Sequence, residues 1–277
     1  MVKESQKTKA GSFRALHDGE VLVLPNAWDA CSAALIAQAG AKAIATTSGG
    51  VAWSVGRPDG QQLTRAEMIE QVRRIVAAVD VPVSADVEAG YGPAPEDVAA
   101  TVEAVVAAGA VGVNIEDSKA PGGPLFDAAE QAERLHAGRV AAERAGLPEL
   151  VINVRTDVYL FQVGAPEERL DDVLARASAY AKAGADSLFV PGLTDLPVVT
   201  ALTKTSPLPI NVMAGPGAPT VAEFKSAGVR RVSVGTSISQ AAYSLAQRAA
   251  AELLTKGTYT ELEGALGFSG INGMFTC

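Results

Sequence analysis

Two carboxylates, Asp86 and Glu88, close one β-branched run, and Glu116–Asp117 closes the next. Side chains alternate along a strand, so Asp86 shares a face with Glu88, Asn114 with Glu116, and Asn153 with Arg155 and Asp157. Pointing inward, at least three carboxylates would meet on one rim. Two unit charges about 4 Å apart repel by about 1 kcal/mol in water and several times that in an interior. Such a cluster must be protonated, paired with Arg155, or neutralised by a cation. Oxygen donors without a nearby histidine favour a hard cation, Mg2+ before Mn2+ and well before Zn2+, and Mg2+ keeps several of its waters. Any one acidic pair alone reads as a strand-end cap with ordinary salt bridges. Recurrence on successive strands argues for the shared site.

Other chemistries lose support. His17 and His136 lie in N-terminal or helical polar contexts rather than at strand ends. The fifth to seventh strand runs hold no lysine, which argues against a Schiff-base aldolase. Lys119, in the loop after the fourth run, is the one lysine near the expected mouth, and it reads equally well as a solvated loop charge. Asn211, on the seventh run, is a candidate polar contact to substrate. Ser48, Gly49 and Gly50 form a small turn whose amides and hydroxyl can approach an anion. The glycines at 215, 217 and 235 follow the last two runs, where barrels often bind phosphate, but the first of these loops is interrupted by proline.

The elements that must hold these residues repeat as one unit: a short β-branched run, a polar loop, and an Ala-rich amphipathic helix. Strands are expected at 21–24, 43–47, 81–88, 111–116, 151–156, 187–190, 210–213 and 232–234, with helices at 29–39, 64–79, 95–108, 128–145, 167–183, 196–203, 221–227 and 237–255. Eight strands alternating with eight helices predict an α/β fold, a (β/α)8 TIM barrel in a single domain over 1–277; a doubly wound open sheet is the competing architecture. In such barrels chemistry sits at the C-terminal strand ends, where the acidic residues fall. Residues 1–18 read as a polar N-terminal extension and 257–277 as a C-terminal tail, whose Phe268 and Phe275 could pack on this barrel or on a neighbour.

Composition narrows the function classes. Lys and Arg number 23 against 31 Asp and Glu, a formal charge of −8, so nucleic acid is not the expected partner and an anionic substrate needs a locally positive pocket. The first dozen residues lack the apolar core of a secretion signal, and no apolar run reaches the about 18 residues of a membrane span. Two cysteines, Cys31 and Cys277, lie far apart and no structural disulfide is expected, in keeping with a reducing, cytoplasmic location.

The runs LPNAWDACSA, TTSGGVAWSVGRPDG, VPVSADVEAGYG, VGVNIEDS, VINVRTD, FVPGL and PINVMAGPGAP closely resemble the isocitrate lyase/phosphoenolpyruvate mutase superfamily, in particular its carboxyvinyl-carboxyphosphonate phosphorylmutase-like branch. The resemblance implies a Mg2+ ion held through Asp86, Glu88 and Glu116, with Asp59 acting through a metal-bound water. It implies that Ser48, Gly49 and Gly50 bind a substrate carboxylate with help from Arg155, and that the last helix packs on a neighbour's barrel in a homo-oligomer, a dimer or tetramer. Members act on 2-oxo acids, phosphonopyruvate, or 2-hydroxy di- and tricarboxylates through an enolate. Isocitrate and methylisocitrate lyases carry a Lys-Lys-Cys-Gly-His run in the loop after strand 4. Here that loop reads DSKAPGGPLFD, without cysteine or histidine, and of the lysine- and asparagine-bearing gating loop of phosphoenolpyruvate mutase it keeps only Lys119. Arg155, Glu116 and Lys119 are the candidate catalytic residues. The expected activity is Mg2+-dependent cleavage of a C–C bond in a small 2-oxo or 2-hydroxy dicarboxylic acid. P–C bond chemistry, as in a phosphonomutase or phosphonopyruvate hydrolase, is the alternative, and non-catalytic 2-oxo-acid binding the third reading.

Overall fold

The computed structural model describes residues 2–275. Nine parallel strand segments make one sheet: β1 (Leu22–Leu24), β2 (Asn26–Ala27), β3 (Ile44–Thr46), β4 (Val83–Asp86), β5 (Gly112–Glu116), β6 (Val151–Arg155), β7 (Ser187–Phe189), β8 (Ile210–Met213) and β9 (Arg231–Ser233). Their order, β1-β9-β8-β7-β6-β5-β4-β3-β2, leaves β1 and β2 at the two edges. These edges are halves of one run broken at Pro25, which has no N–H for a ladder. On one side of the break β1 pairs with β9, and on the other β2 pairs with β3. The sheet thus bends into a nearly closed α/β barrel rather than a doubly wound open sheet. The expected first strand lacked the 26–27 segment because proline masks its continuation.

The helices are α1 (Glu4–Ala15), α2 (Ala30–Gln38), α3 (Ser48–Ser54), α4 (Arg65–Ala77), α5 (Pro95–Ala108), α6 (Ala128–Arg144), α7 (Arg169–Lys182), α8 (Leu196–Thr205), α9 (Val221–Ser226), α10 (Ser237–Lys256) and α11 (Phe268–Asn272). Side-chain caps start several of them. Asp29 accepts from the Ser32 amide at 2.6 Å, and Thr64 and Glu67 cap α4 reciprocally. Gly109, at φ 96°, ends α5 in the left-handed region, where a Cβ is penalised.

Three segments differ from the sequence reading. The polar extension is largely helix α1, whose Ala10 and Phe13, three residues apart, are fully buried. Two buried positions in twelve give too weak a period to stand out. The turn at Ser48–Gly50 is the first turn of α3. The tail carries a 3-10 turn (Thr260–Leu262) and α11, and it folds back on α10, where Glu252 accepts from Thr258 Oγ1 at 2.6 Å and from the amides of Thr260 and Glu261 at 3.1 and 2.8 Å. Of the twenty residues of α10 only Ser239 and Glu252 are buried. Phe268 and Phe275 are exposed, Cys31 is a half-buried free thiol, and Cys277 lies outside the described residues.

Candidate active site

The barrel interior is crossed by a polar column. Asn114 Nδ2 donates to Asp86 Oδ1 at 3.0 Å, and Asn153 Nδ2 donates to Asn114 Oδ1 at 2.8 Å and to Asn211 Oδ1 at 3.3 Å. Ser187 Oγ donates to Asn153 Oδ1 at 2.6 Å, and Asn211 Nδ2 to Ser233 Oγ at 3.2 Å. Residues Asp86, Asn114 and Asn153 sit opposite one another in register, so alternation turns all of them inward. Asn211 is fully buried and engaged at both ends of its amide, so it stands below the mouth as a strut; direct contact with substrate, expected of it from sequence, is not how it is placed.

Above this column stand the acids. The Asp86 carboxylate accepts from the Ser48 amide at 2.8 Å, which joins β4 to the start of α3. Glu88 does not continue the strand as its spacing predicts. The strand ends at Asp86 and Glu88 takes φ 50°, in the left-handed region that a non-glycine residue enters at a cost. Its buried carboxylate is held there by the Gln61 backbone amide and by Tyr91 Oη at 3.4 Å. Burial, reinforced by the charge of Asp86, pushes Glu88 up to about 7. Glu116 is pushed up to about 8 by burial, with Arg155 opposing and Asp157, Asp86 and Glu88 adding to the rise. Asp59 is raised by burial and by Asp86, and a Cβ at Gly49 would lie 3.0 Å from its Oδ2, so Asp59 rests against the start of α3.

Arg155 is the one basic group inside this cluster among the described residues. Its Nη1 lies 2.9 Å from Glu116, and its Nε and Nη2 meet Asp157 at 2.6 and 3.1 Å. The two acids hold its guanidinium well above its ordinary pKa despite burial. Two of its five N–H donors are spent on hydrogen bonds to Asp157, while Nη1 forms an ion pair with Glu116, which leaves donors for an incoming anion. Asp117, by contrast, turns out of the barrel: it is fully buried and bound by Arg176 at 3.1 Å and Tyr180 Oη at 2.9 Å. Lys119 also leaves the mouth. Its ammonium pairs with Glu130 at 3.1 Å and lies 4.9 Å from the Phe126 ring centroid.

Gly50 is required by packing, since a Cβ there would come within 2.8 Å of both Thr47 and Trp28. The Ser48 amide is used by Asp86, while the Gly49 and Gly50 amides belong to a first helical turn, which has no intrahelical acceptors.

No three acidic, histidine or cysteine side chains form a ready metal cage among the described residues. Each carboxylate is instead held by its own donor: Asp86 by Ser48, Glu88 by Gln61, Glu116 by Arg155. The donor set still fits a hard cation. Asp59, Glu88 and Glu116 are all raised, and Asp86 is among the causes of every rise. Mutual repulsion of this kind is what a divalent ion relieves, and Mg2+ needs only one or two direct carboxylates with waters bridging to the rest.

Two contributors were not singled out from sequence. Gln61, at φ 57°, donates its amide to Glu88 and accepts from the Tyr91 amide on its side-chain oxygen at 3.2 Å, but lies in an irregular loop without periodicity. Arg134 donates to the carbonyls of Ala89, Gly92 and Pro93 and stacks 3.9 Å from the Phe126 ring, bracing the loop that carries Tyr91; in sequence it is one more charge on an amphipathic helix.

The family model for phosphoenolpyruvate phosphomutase matches residues 13–254. Uncharacterized protein Rv1998c of Mycobacterium tuberculosis is 37% identical over 92% of this chain and 96% of its own length. An oxaloacetate decarboxylase of Rhodopseudomonas palustris (strain BisB5) is 32% identical over 82% of this chain and 78% of its own. The crystal structure of a candidate phosphonomutase from Burkholderia cenocepacia J2315 is 47% identical, covers 90% of this chain and 99% of that one, and superposes with a TM-score of 0.82. The chain belongs to the phosphoenolpyruvate phosphomutase family of the isocitrate lyase/phosphoenolpyruvate mutase superfamily, whose members are lyases and mutases.

Proposed function

We propose that the protein is a Mg2+-dependent lyase that cleaves a C–C bond, by decarboxylation or retro-aldol cleavage, in a small 2-oxo or 2-hydroxy dicarboxylic acid. The observation that carries this reading is the excess of acid over base at the barrel mouth, where Asp59, Asp86, Glu88 and Glu116 surround the single guanidinium of Arg155. Asp86 would hold the cation directly, with Glu88, Glu116 and Asp59 acting through its waters; Mn2+ would substitute. When bound, the metal supplies Lewis acidity at the substrate oxygen that gains charge as the bond breaks. Arg155 receives a substrate carboxylate through its remaining donors, a planar bidentate contact that lysine cannot make. The amides of Gly49 and Gly50 take a carboxylate oxygen, and the Ser48 hydroxyl orients it. Asn114 and Asn153 keep Asp86 aligned from below. Lys119, paired with Glu130, carries no step in this account.

The similarity to a candidate phosphonomutase at 47% identity supports P–C chemistry on the same platform as the second reading. A screen over oxaloacetate, substituted malates and phosphonopyruvate separates the two. Metal-dependent pyruvate release from a dicarboxylate supports the lyase, a new phosphorus resonance from phosphonopyruvate supports the second reading, and turnover indifferent to chelation rejects both.

The protein also works, in this proposal, as a cytoplasmic homo-oligomer in which α10 lies on a neighbouring barrel. Support comes from its exposed Ile238, Leu245, Leu253 and Leu254, and from a groove of about 690 Å³ lined by Leu16, Leu22, Val23 and Ile36. Light scattering that finds a monomer at micromolar concentration rejects this part.

A further inference from the structure

Below the acidic mouth, the floor of the barrel holds a buried cation whose Nε and Nη1 lack hydrogen-bond partners among the described residues. Asn211 Nδ2 reaches Ser233 Oγ inside the barrel, and alternation along β9 turns Arg231 to the same interior, one level nearer the N-terminal strand ends. Arg231 is 3% exposed, and its Nε and Nη1 have no hydrogen-bond partner among the described residues. The one carboxylate whose charge supports it is Asp86, a level above Ser84 on β4. Burial draws Arg231 down to about 9, which leaves it cationic at neutral pH. Arginine is almost never fully buried unless its charge is matched.

The neighbouring groups have the same need. Ser84 Oγ, 1% exposed, is also without a partner among the described residues. A Cβ on Gly112 would fall 3.0 Å from Ser84 Oγ and 2.8 Å from Phe13 Cε1, so Phe13 of α1 closes the floor beside that hydroxyl. The Phe13 ring stands 4.9 Å from His17, whose Nδ1 is 2.9 Å from the Phe13 carbonyl. A carbonyl only accepts, so Nδ1 carries the proton and the buried Nε2, again unpartnered, is a bare acceptor. Arg231 lies close enough to His17 for its charge to oppose protonation of that ring.

We propose that the floor of the barrel binds a small monovalent anion of the halide class, held by Arg231 Nε and Nη1 with the Ser84 hydroxyl as a further donor. The unpartnered guanidinium donors match an anion, the Ser84 hydroxyl can turn its proton toward it, and the bare acceptor His17 Nε2 suits a water beside it. Its role is to neutralise a buried charge that has only Asp86 to support it and whose Nε and Nη1 find no hydrogen-bond partner among the described residues.

Crystals of the full chain grown or soaked in sodium bromide test this directly. An anomalous peak within hydrogen-bonding distance of Arg231 Nε and Nη1 is the expected result. In solution, thermal or denaturant unfolding is compared in sodium chloride and sodium gluconate at equal ionic strength. Above its dissociation constant, each tenfold rise in chloride shifts the folding equilibrium by about tenfold, and Arg231→Met abolishes that dependence. Water alone around Arg231 in the bromide crystal, with equal stability in both salts, overturns the proposal. Should Arg231→Met fail to fold, the bromide crystal of the unaltered protein decides.

Discussion

The Arg155 guanidinium bridges Glu116 and Asp157, with Nη1 2.9 Å from the first carboxylate and Nε 2.6 Å from the second. One cation therefore neutralises a site acid and a structural acid at once. Arg155→Lys keeps the charge but loses the fork. In the proposed reaction it raises KM for a dicarboxylate by about 1.5–3 kcal/mol of lost charged hydrogen bonding, or roughly 10–150-fold. Arg155→Ala additionally leaves buried Asp157 uncompensated and costs about 3–5 kcal/mol of stability. Steady-state kinetics and denaturant melts check the two effects separately.

Asn114 touches Asp86 at 3.0 Å and is itself held by Asn153 at 2.8 Å. Outer supports of this kind set the orientation of a metal ligand. Asn114→Ala lowers Mg2+ affinity by about 10–100-fold while the protein stays folded. Titration calorimetry with circular dichroism reads both. Unchanged affinity removes Asp86 from the metal site.

Proton and metal compete for the same carboxylates. Glu88 at about 7 and Glu116 at about 8 are raised above the ordinary carboxylate value. A raised carboxylate binds its proton more tightly in the folded state, so the metal-free protein loses stability as pH rises from the unfolded pKa near 4.3 through about 8. Bound Mg2+ offsets that loss. The Tm increment on adding Mg2+ is therefore larger at pH 8 than at pH 6, and at a hundred times its Kd the metal contributes about 2.7 kcal/mol. Scanning calorimetry across pH with and without a chelator measures it.

His17 gives a pH dependence of the opposite sign. Burial, with the charge of Arg231, lowers its pKa from 6.5 to about 4. The unfolded chain binds the proton first, so this group's contribution is intact above pH 6.5 and falls away between 6.5 and about 4. A shift of about 2.5 units corresponds to roughly 3 kcal/mol. His17→Leu removes that slope and leaves the stability at pH 7 within about 1.5 kcal/mol. Urea midpoints of both proteins at several pH values supply the comparison.

The fold was legible because eight β-branched runs, each followed by a polar loop and an Ala-rich helix, impose a parallel sheet, and because the acids fall at the strand ends. The features that the sequence pattern hides share physical causes. The β2 segment hides behind Pro25, whose missing N–H marks an interruption rather than an end. Helix α1 buries only Ala10 and Phe13, too few to create a period, and His17 follows it into the floor of the barrel. Asp117 and Glu116 are adjacent in sequence, yet alternation sends Glu116 to Arg155 and Asp117 to Arg176. The inward turn of Glu88 depends on a left-handed backbone that spacing cannot announce.

The account rests on a divalent ion seated among these acids, and manganese makes that visible. Crystals soaked in Mn2+ should show one strong anomalous peak at the barrel mouth in contact with an Asp86 carboxylate oxygen, and the peak should vanish in Asp86→Ala. Unchanged density in the variant, or no peak at the mouth of the unaltered protein at millimolar Mn2+, contradicts it.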